Sequence, residues 1–325
     1  MAVYTEVTEQ DLNRLLADFE LGSLVTHKGI EGGIENTNYF VTLQGDDGGQ
    51  QEYVLTLFEE FGMDEMPYFV ELTGWLAERG CPVPAPFKDR DGIALKQLNG
   101  RPALLLPRFR GHHVAQQELT ADHCAAAGKA LAQLHKAGLD FYMRRQAHRG
   151  VFWWRRESQR VAQLLEADEA ELLLREVRLF DELREAEPDL PMGAIHGDLF
   201  HDNALFDGTE LTAILDVYNA ATAYLMYDLA IVANDWCVNP DGTIDAGREQ
   251  ALLAAYAAER PFTDGERQAW PQLTRAAAMR FWLSRLIPWL GLEQAGRQSG
   301  EMKLKDPVEL KRILQFRIDH TAPLP

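Results

Sequence analysis

The segregation of strand-like and helix-like patterns along the chain constrains its fold most strongly. Up to residue 106, runs of β-branched and aromatic residues alternate with glycine-rich turns, and Asn99-Gly100 is typical of a tight hairpin turn. Strands are expected at residues 23–30, 37–43, 51–58 and within 92–106. From Pro107 onward the apolar residues recur almost wholly at helical spacing. We therefore predict an α+β fold in two parts, residues 1–106 and 107–325.

Helical spacing places two helices in the first part and a series in the second. The predicted helices cover residues 8–19, 64–79, 120–137, 151–166, 169–187, 224–236, 244–259, 263–290 and 306–318. Residues 193–216 are the exception, because two short apolar runs there flank a polar loop. A loop held between strands inside a helical region is a favourable place for chemistry.

Charge and cysteine content exclude several classes of protein. The 325 residues carry a formal net charge of −18, which disfavours binding to nucleic acid or to an anionic membrane surface. The three cysteines lack the spacing of a zinc knuckle and are odd in number, which favours buried thiols in a reducing compartment. No leader-like start or long apolar run is present, so we expect a cytoplasmic protein.

The polar loop contains the residues that phosphoryl transfer requires. Asp198 is followed by Asn203, and Asp216 ends the next apolar run. A carboxylate that accepts the proton of a hydroxyl nucleophile, together with oxygen ligands for Mg²⁺, is the minimal set for transfer from a nucleoside triphosphate. An ordinary polar loop with capping Asp and Asn side chains is the alternative interpretation.

This arrangement resembles the catalytic motif of the small-molecule kinases in the aminoglycoside phosphotransferase and choline kinase superfamily. The resemblance implies a bilobal protein-kinase-like fold with a small antiparallel-sheet lobe and a larger helical lobe. It implies ATP and Mg²⁺ as cofactors, Asp198 as the catalytic base, and Asn203 and Asp216 as magnesium ligands. It also implies that the lobe at residues 1–106 binds the nucleotide and that residues 107–325 carry catalysis and the substrate.

The homoserine kinases of this superfamily are the more similar group, and the likeness covers nearly the whole chain. Supporting segments are residues 35–39, 53–57, 149–154, the loop at 196–203, and residues 227–230 and 234–237. The likeness implies phosphorylation of L-homoserine to O-phospho-L-homoserine, a step of threonine biosynthesis. The substrate would be a small molecule, and the oligomeric state is not readable from the sequence.

The nucleotide-binding part departs from the kinase pattern. Thr56 stands where related kinases place a lysine, and a G-x-G-x-x-G loop is missing. Backbone N–H groups around Gly32, Gly33 and Asn36 are the predicted phosphate site, with Lys28 as a substitute cation. Family layout places the adenine near Leu106 and Arg108. Glu71, which elsewhere pairs with the lysine, has no clear role here.

Homoserine presents a carboxylate and an ammonium group, so its site requires an arginine fork and an acid or amide partner. The candidate arginines are Arg144, Arg145, Arg149 and Arg280, and the candidate ammonium partners are Asn234 and Asp235. His196 precedes Gly-Asp after an apolar strand, which favours a structural hydrogen bond over a role as base. Asp228 is expected to anchor the catalytic loop or to cap a helix.

Two other functions remain open from the residues alone. A kinase for choline, an aminoglycoside or another small amino alcohol also fits the acidic chain, whose charge suits a cationic acceptor. Thr56 and the degenerate glycine loop would also suit a nucleotide-binding pseudokinase or scaffold. The neighbouring histidines His112 and His113 suggest a metal site, but they lack further ligands at suitable spacing.

Overall fold

The computed structural model describes residues 3–30, 36–186, 189–292 and 304–325. The chain divides into two compact units, Met1–Arg110 and Gly111–Pro325. The sequence placed this change after residue 106, but the last strand of the first unit extends to Pro107 and the division falls after Arg110. Which unit binds nucleotide stays a prediction at this point.

The first unit is built around an antiparallel sheet. Its elements are α1 (Glu9–Leu16), β1 (Ser23–Gly29), β2 (Asn36–Gln44), β3 (Gln50–Phe58), α2 (Met66–Glu78), β4 (Lys96–Leu98) and β5 (Arg101–Pro107). Within the described ranges, five strands pair in the order β1-β2-β3-β5-β4. Asn99 and Gly100 have φ of 49° and 79°, the left-handed values that a tight hairpin turn requires. The predicted hairpin is confirmed.

One face of this sheet forms a core with α1. Val41 and Leu55 are fully buried there, in the same cluster as Leu12 of the helix. The helix begins as its sequence predicts, because Thr8 Oγ1 accepts a hydrogen bond from Asp11 N and Asp11 Oδ2 accepts one from Thr8 N, at 3.2 and 3.0 Å. Alternation along the strands thus leaves the other residues of each strand on the opposite face.

The opposite face carries a row of four residues from adjacent strands. The pairing register places Lys28 beside Phe40, Phe40 beside Val54, and Val54 beside Leu106. Lys28 is exposed on the edge strand, Phe40 and Val54 are half-buried, and Leu106 is buried. The row therefore offers a partly open apolar surface with a cation at one end.

The second unit is mainly helical, with two small sheets. Its elements are α3 (Ala121–Leu139), α4 (Val151–Ala162), α5 (Ala167–Glu185), β6 (Met192–Ile195), β7 (Ala204–Asp207), β8 (Glu210–Ile214), β9 (Ala221–Tyr224), α6 (Leu225–Trp236), α7 (Ala246–Glu259), α8 (Asp264–Trp289) and α9 (Pro307–Asp319). β6 pairs antiparallel with β9, and β7 pairs antiparallel with β8. In the core, α3 packs on α7, and α8 packs on α6 and α9.

The sequence missed β9. Residues 221–224 read Ala-Thr-Ala-Tyr, which lacks both length and a clear polar–apolar alternation, and a helix was predicted to begin at residue 224. The strand forms because β6 supplies its hydrogen-bonding partner, from Met192↔Tyr224 to Ile195↔Ala221. The pairing places the start of α6 beside the residue before β6, where Leu225 N donates to Pro191 O at 3.1 Å, and it places the start of β9 beside the polar loop that follows β6.

Candidate active site

The loop between β6 and β7 carries the residues that the sequence singles out. It ends in a 3-10 turn, His201–Asn203, after which the β7–β8 hairpin reverses the chain. Leu215 N donates to Asn203 O at 2.8 Å, and Asp216 follows with a left-handed backbone at φ 57°. The structure therefore brings Asn203 and Asp216 together at the open end of the hairpin.

Asp198 is half-buried in this loop, and its side chain is held by a neighbour. Its Oδ2 accepts a hydrogen bond from Asn219 Nδ2 at 3.3 Å, and its backbone oxygen accepts one from Asn203 Nδ2 at 2.8 Å. Because the amide nitrogen of Asn203 donates to the loop, the amide oxygen is the end of that side chain suited to a cation.

Asp228, on α6, anchors the loop just before Asp198. Its Oδ2 accepts from His196 N at 2.7 Å, its Oδ1 accepts from Gly197 N at 2.8 Å, and Oδ2 also accepts from His135 Nε2 at 3.0 Å. Burial raises the pKa of this carboxyl, but the hydrogen bond and charge of His135 and the Gly197 N–H bring the net shift below the ordinary value. Asp228 is therefore a buried carboxylate that accepts hydrogen bonds from three N–H donors.

His196 uses both ring nitrogens for structure. Nε2 lies 2.8 Å from the Leu215 backbone oxygen, and Nδ1 accepts from Asp198 N at 3.2 Å. Burial lowers the pKa of the imidazole, so the ring is neutral and donates through Nε2. The ring ties the catalytic loop to the end of β8, and it has no nitrogen available to take a proton from a substrate.

Gly197 is required where the loop turns. Its φ is +79°, and a Cβ at this position would lie 2.8 Å from the Asn219 backbone oxygen. Asn219 is also the residue that donates to the Asp198 carboxylate. The close approach of the two backbones at Gly197 therefore helps to fix the position of Asp198.

Asp235 holds the 3-10 turn of the loop. Its Oδ2 accepts from His201 N at 2.7 Å and lies 2.8 Å from His201 Nδ1. Burial would lower the pKa of His201, but the hydrogen bond and charge of Asp235 raise it above its ordinary value. Asp235 therefore lies beside the loop and accepts a hydrogen bond from the loop backbone.

The predicted ammonium partner Asn234 lines the same small cavity as Asp235 and is engaged at both ends of its amide. Its Nδ2 donates to Thr274 O at 2.8 Å, and its Oδ1 accepts from Arg317 Nε at 2.8 Å. Arg317 also donates to Glu249 at 2.6 Å, and all these side chains are buried. Both ends of the amide thus serve a structural network, and the ammonium-binding role of Asn234 stays a prediction.

Arg280 is the candidate arginine that lies near Tyr227. It is buried, and its guanidinium lies 3.8 Å from the centroid of the Phe281 ring. Burial raises the pKa of Tyr227, the charge of Arg280 lowers it, and the charges of Asp228 and Asp198 raise it further. Tyr227 therefore lies within electrostatic range of Asp198, Asp228 and Arg280, and sequence analysis assigned it no role.

The other candidate arginines lie in or beside the segment that precedes α4. Arg144 is exposed, and the backbone of Arg145 pairs with Thr222 of β9. Arg149 is half-buried, with its guanidinium 5.9 Å from the Trp153 ring centroid and its backbone oxygen accepting from Trp154 Nε1. These positions distinguish neither Arg144 nor Arg149 as a carboxylate fork.

A small cavity borders the loop. A cavity of about 10 Å³, which has room for about one water molecule, lies between α6, α8, α9 and Phe200 of the loop. Asp235, Phe281, Arg285 and Glu309 are in its lining, and Arg285 Nη1 lies 2.5 Å from Glu309 Oε2. Neither Arg285 nor Glu309 was found from the sequence, because no motif marks them.

The predicted nucleotide contacts of the first unit lie in several places. Asn36 is buried at the start of β2, and Leu106 lies in the cross-strand row. The guanidinium of Arg108 lies 2.5 Å from Glu52 Oε1 and 4.0 Å from the centroid of the Phe40 ring. Gly32 and Gly33 lie outside the described residues.

Thr56, which occupies the position of the missing lysine, is engaged within the sheet. Its Oγ1 donates to Asn38 Oδ1 at 2.7 Å, and the side chain is buried. Glu71 is exposed on α2.

Groups of three or more His, Cys, Asp and Glu side chains that could hold a metal ion are absent from the described part of the chain. Asn203 and Asp216 are a smaller pair of oxygen donors. The described helices also include none that is long and apolar enough to cross a membrane.

Comparisons with known proteins identify the family of the chain. The model of the phosphotransferase enzyme family matches residues 26–262. A curated homoserine kinase of Pseudomonas aeruginosa PAO1 is 42% identical over 325 residues, covering 100% of this chain and 99% of the relative. A homoserine kinase of Methylobacillus flagellatus is 44% identical over 321 residues, covering 98% and 96%.

A solved structure shares the fold at lower identity. The amicoumacin kinase hAmiN, in complex with AMP-PNP, Ca²⁺ and Ami, has a TM-score of 0.66 and 16% identity, with 96% of this chain and 93% of that chain covered. This likeness confirms the predicted fold class, and the match to the family model covers well over half of the sequence. The chain belongs to the phosphotransferase enzyme family.

Proposed function

We propose that this chain is an ATP-dependent homoserine kinase, which phosphorylates the hydroxyl group of L-homoserine to give O-phospho-L-homoserine in threonine biosynthesis. The observation that carries the proposal is identity of 42% and 44%, over nearly the full length, to two proteins with that name. The anchored loop around Asp198 supports it, since the loop supplies the groups that the reaction requires.

Asp198 is the proposed catalytic base. Its carboxylate accepts the proton of the homoserine hydroxyl as the oxygen attacks the γ-phosphorus of ATP, and the bond from that phosphorus to the bridging oxygen of ADP breaks in line. The hydrogen bond from Asn219 and the anchoring by Asp228 support this role, because both restrain the direction of the carboxylate. No covalent enzyme intermediate is required.

Asn203 and Asp216 are the proposed magnesium ligands. Both offer oxygen donors at the same end of the hairpin, and oxygen is what Mg²⁺ prefers. Two protein ligands suit this ion, because it commonly takes the remainder of its octahedral shell from phosphates and water. When bound, Mg²⁺ neutralises charge on the β- and γ-phosphates.

For the acceptor, we propose Arg280 as the carboxylate fork and Asp235 as the ammonium partner. Arg280 is buried and, like Asp198, lies within electrostatic range of Tyr227, and Asp235 lines the small cavity beside the loop. A buried guanidinium strongly favours a carboxylate over a neutral group. Arg144 and Arg149 stay secondary candidates.

The first unit is proposed to bind ATP, and the second to carry catalysis and the acceptor. The row of Phe40, Val54 and Leu106 offers an apolar surface for the adenine, with Lys28 at one end and Arg108 stacked on Phe40. Asn36 and the residues before it are the proposed phosphate site, and Lys28 is the proposed substitute for the lysine missing at Thr56.

The cysteines and the net charge indicate the compartment and the kind of partner. We propose a cytoplasmic enzyme, because Cys81, Cys124 and Cys237 are free and buried. Its partner is a small molecule, since a net charge of −18 opposes contact with nucleic acid and with anionic membranes.

A substrate panel tests the proposal. ADP release with Mg-ATP should be measured against homoserine, serine, threonine, choline and an aminoglycoside, with a control lacking acceptor. We expect selective turnover of homoserine, because choline would leave a buried arginine without its carboxylate partner. Turnover of choline or the aminoglycoside instead would support the amino-alcohol kinase, and ATP binding without any turnover would favour the pseudokinase.

A further inference from the structure

Tyr227, in the first turn of α6, combines a tightly packed ring with a hydroxyl that has no partner. Its ring packs against Trp154 and Phe180, with centroids 5.7 and 6.4 Å away. The residue is only 9% exposed, yet its hydroxyl makes no hydrogen bond within the described part of the chain. Because buried polar groups in folded proteins are nearly always hydrogen-bonded, this phenol indicates a ligand that binds beside it.

Arg280, on α8, is a second buried polar group without a partner. It is 6% exposed, and its guanidinium lies 3.8 Å from the centroid of the Phe281 ring. Among the residues that the structure describes, it forms neither an ion pair nor a hydrogen bond. A buried cation without a counter-ion is costly, so the environment of Arg280 favours an anionic ligand.

Both groups lie close to the catalytic loop. The Phe281 ring, which carries the Arg280 guanidinium, packs on Phe200 of the loop with centroids 4.6 Å apart. Phe200 follows Asp198 by two residues, and the charges of Asp198 and Arg280 both act on the Tyr227 hydroxyl. An acceptor whose hydroxyl lies at Asp198 would therefore place its other polar groups towards Tyr227 and Arg280.

The Tyr227 hydroxyl is a donor at neutral pH. Burial raises the pKa of this phenol, and the charge of Arg280, which lowers it, is opposed by the charges of Asp228 and Asp198. The phenol therefore keeps its proton. A neutral donor beside a guanidinium suits a carboxylate, which offers two oxygens and only accepts hydrogen bonds.

We infer that Tyr227 is a specificity-determining residue, which donates a hydrogen bond to the same acceptor carboxylate that Arg280 binds. The inference rests on the kinase function proposed above and adds a second carboxylate donor to its site. Trp154 and Phe180 contribute by fixing the ring and hence the direction of the hydroxyl. An acceptor without a carboxylate leaves both donors unpaired and is disfavoured.

A single-atom substitution tests this role. Tyr227→Phe removes the hydroxyl and keeps the packed ring. Tyr53→Phe is the matched control, because Tyr53 is a buried tyrosine of β3 whose ring lies 5.1 Å from that of Phe87. Its hydroxyl likewise makes no hydrogen bond within the described residues. The two acceptor analogues to compare are homoserine and 3-amino-1-propanol, which is homoserine without its carboxylate.

Steady-state kinetics provide the first readout. In Tyr227→Phe, KM for homoserine should rise about 10- to 100-fold, with kcat within about threefold and KM for ATP within about twofold, as expected when a hydrogen bond to a bound charge is lost. The inhibition constant of 3-amino-1-propanol should change by less than about threefold, since it has no carboxylate. Tyr53→Phe should leave all these constants within about twofold. An unchanged KM for homoserine, or an equal loss with 3-amino-1-propanol, would overturn the inference.

Thermal unfolding separates binding from a structural role. Tyr227→Phe should melt within about 2 °C of the unsubstituted protein, because the hydroxyl has no partner in the chain to lose. Homoserine should raise the melting temperature of the unsubstituted protein more than that of the variant. A melting temperature lowered by more than about 5 °C would indicate a structural hydrogen bond and would contradict the inference.

Calorimetric titration with homoserine distinguishes this inference from the proposed function. If the unsubstituted protein forms no O-phospho-L-homoserine, the proposed function fails, and the titration still decides the role of Tyr227. Tyr227→Phe should bind homoserine at least about tenfold more weakly than the unsubstituted protein. Equal affinity in the two proteins, or binding by neither, would refute the role of Tyr227.

Discussion

At the scale of single residues, the site depends on polar groups whose partners are buried and distant in sequence. Asn234 shows this, because its role follows from Thr274 and Arg317, neither of which is near it in the chain. A sequence pattern shows that an amide is present but not which groups surround it. That is why a binding role could be predicted for Asn234 without knowledge of the buried partners that engage both ends of its amide.

Replacement of Asn234 by alanine tests its structural role. Arg317 Nε and the Thr274 oxygen would lose their partner, and we expect the free energy of unfolding to fall by about 2–3 kcal/mol. KM for homoserine should stay within about twofold, because both ends of the amide are engaged by Thr274 and Arg317. Urea denaturation and steady-state kinetics measure the two effects. A large rise of this KM without loss of stability would restore the binding role.

His196 predicts a pH dependence of stability. Burial lowers its pKa in the folded protein, so below about pH 6.5 the unfolded chain binds more protons than the native one, and the free energy of unfolding falls as pH falls. One such histidine contributes up to about 1.4 kcal/mol between about pH 7.5 and pH 5.5.

The His196→Gln variant isolates this contribution. The glutamine amide can donate to the Leu215 oxygen but does not titrate, and all other ionisable groups remain in both proteins. Denaturant unfolding at the two pH values should therefore show a steeper loss of stability on acidification in the unsubstituted protein. The same pH dependence in both proteins would contradict a neutral, buried His196.

At the scale of helices and strands, the sequence predicts an element correctly where that element is determined by its own residues. Thr8 with Asp11, and Asn99 with Gly100, predict a helix start and a turn from short-range chemistry, and both are confirmed. β9 depends on pairing with β6, about thirty residues earlier, and its own four residues carry no comparable signal.

Close packing of α3 on α7 makes a prediction about glycine. A Cβ at Gly128 would lie 2.3 Å from the Leu252 backbone oxygen, so Gly128→Ala should destabilise the protein by about 1–3 kcal/mol through overpacking. Gly74, in α2, has no heavy atom within 4 Å of the corresponding position. Gly74→Ala should therefore stabilise by about 0.5–1 kcal/mol through helix propensity.

Thermal or urea unfolding of the two variants gives the comparison. The opposite signs are the informative feature, because both substitutions make the same chemical change in a helix. Destabilisation by Gly74→Ala, or tolerance of Gly128→Ala, would show that the helices pack differently from the structure described.

At the scale of the whole molecule, the sequence predicts the division of the chain and the chemistry of its loop. Strand-like spacing before residue 107 and helical spacing after it arise from burial within each element, so they can be read locally. The Asp198, Asn203 and Asp216 spacing predicted a loop and a returning hairpin, and the structure contains both. What the sequence could not supply is the set of long-range partners, such as His135 for Asp228 and Arg280 near Tyr227, because each depends on packing between helices.

The most direct test of the account measures formation of O-phospho-L-homoserine, by phosphorus NMR, in the Asp198→Asn protein and in its control Asp202→Asn. Asp202 is exposed on the same loop and pairs with Lys305 across 3.6 Å. We expect the unsubstituted protein to form the product and Asp198→Asn to lose about 10²–10⁴-fold in kcat with ATP affinity retained, as for removal of a general base. Asp202→Asn should stay within about threefold, since exposed ion pairs contribute little. Product formation at an unchanged rate by Asp198→Asn, or none by the unsubstituted protein, would contradict the account.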